Sequence, residues 1–267
     1  MQSSLEAKIY EHKFLVFALG LIALINIVSN YFGKDVAAIS DSFLFILFPG
    51  MLLILSLMMN SRFKIAGKHG IAWVMFTGFA VSWLAAETTW IIYDSYLKMD
   101  PFPSVADIFY VAGYPFLFVF IMFYLRPMKE GISGKMLAGS VCMSSVVLIS
   151  SVGIIMSDIL DESFDYVAMT DSDILGFAIS LVYPVLDATV LVPAIAGLLL
   201  FFKGQVSFLW SLMCLAIVSV SIADAAFVLG HLGEFYYTGH YIDIFFLWPY
   251  VFMSFGLYHH YSLFRSS

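Results

Sequence analysis

Glu87, Asp187 and Asp224 are carboxylates set inside otherwise apolar stretches of the chain. If ionised at mid-membrane, each would oppose insertion by about 2.5–3.5 kcal/mol, against roughly 0.5 kcal/mol gained per leucine. Acids kept at that cost are candidates for binding a proton, a cation or an amine-bearing ligand. Their spacing brings companions. Glu87, Trp90 and Asp94 fall at i, i+3 and i+7, one face of a helix, and Asp224, Phe227 and His231 repeat the pattern. Asp187 lies in YPVLD, one turn beyond Pro184. That proline removes a helix hydrogen bond and leaves a carbonyl for a side chain, water or ion. The expected site is a polar cavity open to the outside, lined by Glu87, Asp187 and Asp224 with Trp90, Tyr93 and Tyr183. Asp107 and Asp243, which begin two later apolar runs, join the candidate ligand- or proton-binding set. The alternative is that protonated or hydrogen-bonded acids simply hold helices together.

Other groups point to chemistry less sharply. His231, Glu234, His240 and Asp243 share one connection and are residue types that could ligate zinc, but their spacing fits no strong zinc pattern, and a solvated loop is the simpler reading. The acidic stretch Asp158–Asp173 lacks the Asp-x-Asp-x-Asp-Gly order of a calcium loop. His259 and His260 fall near the opposite end of the last run and read as interfacial. Cys142 and Cys214 sit in apolar segments, where cysteine behaves as a small hydrophobe. GISGK is too short for a phosphate loop, and HExxH, TVGYG, an Arg-rich span and a mid-membrane lysine are all lacking. No catalytic set, metal or cofactor is expected. Three function classes remain: a sensory or ligand-binding membrane module, a small proton- or cation-coupled transporter, and an intramembrane lipid-modifying enzyme with an acid as general base. The last is weakest, because no nucleophile accompanies the acids.

The elements that must carry these residues follow from composition. Apolar residues make up 62% of the 267 and charged residues only 12%, with mean hydropathy +0.95. This excludes an ordinary soluble domain and leaves no basic patch for a nucleic acid; the partner implied is the lipid bilayer. A span needs about 20 mostly apolar residues. Eight stretches qualify, roughly 14–32, 42–59, 71–96, 105–125, 136–156, 173–202, 206–230 and 242–263. The expectation is an all-α integral membrane protein forming one transmembrane domain over 1–267. Its first span is retained rather than cleaved as a signal peptide.

Basic residues orient the spans. With the N-terminus in the cytoplasm, Lys8, Lys13, Arg62, Lys64, Lys68, Arg126, Lys129, Lys135, Lys203 and Arg265 fall inside, and only Lys34 and Lys98 outside. Both termini are therefore expected in the cytoplasm of a cell-membrane protein. A repeat is also visible. Asp41, Asp107, Asp173 and Asp243 open the even-numbered spans at separations of 66, 66 and 70 residues, each followed by a proline. This reads as four parallel two-helix hairpins. The second and fourth match best, aligning Glu87 with Asp224, Trp90 with Phe227, and Tyr114 with Tyr250.

The segment AETTWIIYDSYLKMDPFPSVADIFYVAGYP resembles a recurrent stretch in the membrane-embedded N-terminal regions of some archaeal and bacterial histidine kinases and diguanylate cyclases. The likeness rests on Pro103, Ser104, Ala106, Asp107, Phe109, Tyr110, Gly113, Tyr114 and Pro115, with YPVLD and SIADAAF similar to later parts of such modules. It covers about half the chain. It implies a membrane region that senses a signal and passes it to an output domain. This chain departs from the pattern in showing no output domain, so the resemblance implies either a separate cytoplasmic signalling partner or a stand-alone member with another role. It assigns no ligand-binding residue.

Overall fold

The computed structural model describes residues 2–64, 67–159, 170–202, 204 and 206–263. Residues 160–169 of the acidic stretch, Lys203 and Arg265 lie outside the described residues, as does the side chain of Asp173. Eight α-helices follow in order: α1 Gln2–Phe32, α2 Lys34–Phe63, α3 Gly67–Ile91, α4 Val105–Leu125, α5 Gly134–Ile159, α6 Asp171–Leu200, α7 Ser207–Leu232 and α8 Asp243–Leu263. A wide π-helical turn, Ile92–Leu97, continues α3, and a 3₁₀ turn, Arg126–Gly131, follows α4. No strand occurs among the described residues.

Local chemistry sets the breaks. Gly33, at φ 118, separates α1 from α2 in a conformation other residues avoid. Ser104 caps α4: its hydroxyl accepts from Ala106 N, while Asp107 Oδ2 accepts from Ser104 N. Asp107 and Asp243 do stand in the first turns of α4 and α8, where a carboxylate meets the positive end of the helix dipole. Asp41 does not. Helix α2 begins at Lys34, so Asp41 lies two turns inside it and is buried. Each even-numbered helix contains a proline: Pro49, Pro115, Pro184 and Pro249, with Pro193 also in α6. The carbonyl freed four residues before Pro249, that of Phe245, accepts instead from the Ser219 hydroxyl of α7 at 2.8 Å.

Six helices close a ring. Helix α2 packs on α3, α3 on α4, α4 on α6, α6 on α7, α7 on α8, and α8 back on α2. Helix α1 lies outside, against α2 and α8, and α5 outside against α6 and α7. Among the described residues, seven helices, α1 to α7, are long and apolar enough to cross a membrane. Phe17, Ile39, Ile54, Val146 and Ile149 are each more than half exposed on the outer surface, which suits lipid contact. The chain is a multi-pass helical membrane protein. Helix α8 was expected as an eighth span but is not among the seven. Trp248, Pro249, Tyr250, Tyr258, His259, His260 and Tyr261 lower its apolarity. It is instead enclosed, with buried residues from Asp243 to His260.

Candidate functional site

The ring interior differs sharply between its two ends. At one end it is solid. Trp73, Phe76, Phe120, Tyr124, Trp210 and His260 fill it with rings in contact, Trp73 lying 5.1 Å from Phe120 and 5.3 Å from His260 between centroids. The Trp73 indole N–H donates to His69 Nε2 at 3.3 Å. His260 is fully buried here and His259 packs on Phe208. Their aromatic neighbours come from distant helices, which no local spacing reveals.

At the other end the ring is hollow. A chamber of about 80 Å³, room for several waters, is lined from all six ring helices. Its carboxyls are Asp41 of α2, Glu87 of α3, Asp107 of α4, Asp224 of α7 and Asp243 of α8. Asp187 of α6 stands one step behind, its Oδ1 accepting from the lining Tyr114 hydroxyl at 2.7 Å. All six acids are 9% exposed or less. Among the described residues no lysine or arginine lines the chamber.

Tyrosines hold four of these acids. Tyr250 donates to Glu87, Tyr183 to Asp107 at 2.7 Å, Tyr114 to Asp187, and Tyr236 to Asp243 at 2.9 Å. Asp243 also accepts from Gly239 N at 2.7 Å. The remaining two, Asp41 and Asp224, are different. Among the described residues no tyrosine reaches them, and Asp41 Oδ1 and Asp224 Oδ2 are buried without a donor, as is the second oxygen of Asp187. Each stands within hydrogen-bonding reach of a tyrosine-held acid, Asp41 beside Asp243 and Asp224 beside Asp187. Carboxylate oxygens only accept, so each pair needs a proton or a cation between its members.

Aromatic rings make up much of the remaining wall. Trp83 sits among Tyr110, Tyr114 and Tyr250 at 5.9–6.2 Å. Its indole is admitted by Gly113, where a Cβ would lie 2.5 Å from the ring. Trp90 and Phe227, aligned in sequence, meet edge to face at 5.7 Å. Beyond them opens a wider vestibule of about 410 Å³ that shares Trp90, Phe227, Tyr236 and Thr238 with the chamber. Asp94, Asp100, Lys98 and His231 line its outer part. The two i, i+3, i+7 rows are thus ladders from inside to outside: Glu87 and Asp224 in the chamber, Trp90 and Phe227 at the throat, Asp94 and His231 in the vestibule.

Of the residues singled out by sequence, Glu87, Trp90, Asp107, Tyr183, Asp224 and Asp243 line the chamber, and Asp187 backs it. Tyr93 lines neither cavity. The chamber adds Asp41, Trp83, Tyr110, Tyr114, Tyr236 and Tyr250. The repeat had marked Asp41, Tyr114 and Tyr250 as periodic positions, but periodicity does not distinguish a helix cap from a cavity wall. Of the group expected to share one connection, His231 lies at the end of α7 and stacks on Phe227, His240 Nδ1 accepts from Ile242 N in the loop, and Asp243 at the start of α8 turns inward to Tyr236. Among the described residues no three histidine, cysteine or carboxyl groups converge to hold a metal ion. No protein-family model, curated protein or solved structure matches this chain.

Proposed function

We propose that this multi-pass membrane protein is a sensory or ligand-binding module whose chamber receives a small cationic ligand from the outside. One observation carries the reading: five buried carboxyls line a single cavity and a sixth, Asp187, backs it, with no lysine or arginine in its wall among the described residues. Buried acids need balancing charge or protons, and a cavity supplies room for the first. The chamber is blind, because aromatic rings fill the ring interior at its other end. A blind pocket suits a receptor better than a pore. In this reading α8 is the eighth span, both termini are cytoplasmic, and the vestibule opens outward. The basic residues and the four-hairpin periodicity support that arrangement. The resemblance of the Pro103–Pro115 region to sensor regions of kinases and cyclases supports a cytoplasmic signalling partner.

A second reading, a proton- or cation-coupled carrier, draws on the two acid pairs and on the prolines of α2, α4, α6 and α8, which weaken helices that would have to move. Proton and cation flux in proteoliposomes separates the two. The sensor reading expects no flux from a folded, oriented preparation. Flux that disappears in Glu87→Gln or Asp224→Asn would overturn it in favour of the carrier.

A further inference from the structure

We infer that the chamber seats a linear diammonium ion, one end at Asp224 and the other at Asp41. The inference rests on the chamber being a ligand site and names the chemistry of its ligand. Asp41 and Asp224 are the two chamber acids that receive no protein donor, and they are 2% and 9% exposed. Each is backed by an acid already held by a tyrosine: Asp243 by Tyr236, with Gly239 N donating to its other oxygen, and Asp187 by Tyr114 at Oδ1, its Oδ2 being buried without a donor. Two carboxyls in contact keep one proton between them, which leaves one negative charge at each pair. An ammonium group is the complement of each pair, because it brings up to three donors to oxygens that lack one.

The aromatic part of the wall favours a carbon chain over a bare ion. Trp83, Phe227 and Phe246 line the chamber, and aromatic surface suits both methylene groups and cationic ends. A calcium ion would need six to eight oxygens around one point, whereas the acids here are spread over five helices and no three converge among the described residues. Asp94 and Asp100 in the vestibule give an approaching cation an acidic mouth, partly offset by Lys98.

The test uses the full chain in nanodiscs of phosphatidylglycerol, with binding followed by tryptophan fluorescence, since Trp83 and Trp90 line the chamber. Cadaverine is the probe; pentylamine, pentanediol and calcium are the comparisons. Saturable quenching by cadaverine is expected, weaker by about tenfold for pentylamine and absent for pentanediol and calcium. Asp41→Asn and Asp224→Asn should each weaken cadaverine by about tenfold, ~1.4 kcal/mol, while the exposed Asp35→Asn leaves it unchanged. Monodisperse elution and unchanged helicity establish that the variants fold. Equal affinity for pentylamine and cadaverine overturns the two-ended seat, and equal affinity for the diol overturns the cationic ligand; both leave a ligand pocket standing. Quenching that appears only in discs containing phosphatidylethanolamine assigns the seat to a lipid headgroup and overturns the proposal. Failure of every probe to bind folded protein removes the ligand-pocket reading as well.

Discussion

The six carboxyls divide by what reaches them. Glu87, Asp107, Asp187 and Asp243 each accept a tyrosine hydroxyl, so their loss acts first on stability. Tyr250→Phe should destabilise the protein by about 1–3 kcal/mol, because a buried acceptor is left without its donor. Glu87→Gln should cost less, since the amide oxygen still accepts from Tyr250. Thermal unfolding in detergent reads both, and an unshifted midpoint for Tyr250→Phe would mean that this bond does not hold the α3–α8 junction. Asp41 and Asp224 have no such bond to lose, and their substitution to asparagine should leave the midpoint near that of the wild type.

At the scale of the element, α3 and α7 do the same work twice. Each brings an acid into the chamber, an aromatic residue to the throat and a polar residue to the vestibule at matching intervals. The ladder on α3 continues through the π-helical turn Ile92–Leu97; such wider turns inside helices often mark functional segments. The close approach of α3 and α4 depends on Gly113. Gly113→Ala places a methyl group 2.5 Å from the Trp83 ring, so the indole must rotate away and lose its bond to the Tyr110 carbonyl. A cost of about 1–3 kcal/mol is expected, together with a shifted tryptophan emission. An unchanged spectrum would show that Trp83 is not fixed by this contact.

For the whole molecule, the ring explains why so polar a cluster survives in so apolar a chain. Six helices surround the acids, and the two outer helices, α1 and α5, contribute none of the chamber wall. Lipid therefore meets residues such as Ile39 and Ile149, never the carboxyls. The orientation is testable in a background with Cys142 and Cys214 replaced. Met99→Cys, beside the vestibule, should react with an impermeant thiol reagent applied outside intact cells, while Ser61→Cys and Lys129→Cys should be protected until the membrane is opened. The reverse labelling pattern would turn the chamber toward the cytoplasm and remove the outward-facing receptor.

Much of this was legible without coordinates. Helix number and approximate extents follow from the length of apolar runs, because a bilayer forces the backbone to satisfy its own hydrogen bonds. The pairing of Glu87 with Asp224 and Trp90 with Phe227 was visible as repeated spacing within single helices. The sequence alone also marked Asp41, but as the start of a span, because the apolar run begins after it while the helix begins at Lys34. What required the tertiary structure was everything that joins residues far apart in the chain. Tyr250 reaches Glu87 across 163 positions, Tyr183 reaches Asp107 across 76, and Tyr114 reaches Asp187 across 73. Periodicity reports which face of a helix a residue occupies. Only the closing of the ring decides which faces meet, which acids find a hydroxyl, and which two are left facing the cavity without one.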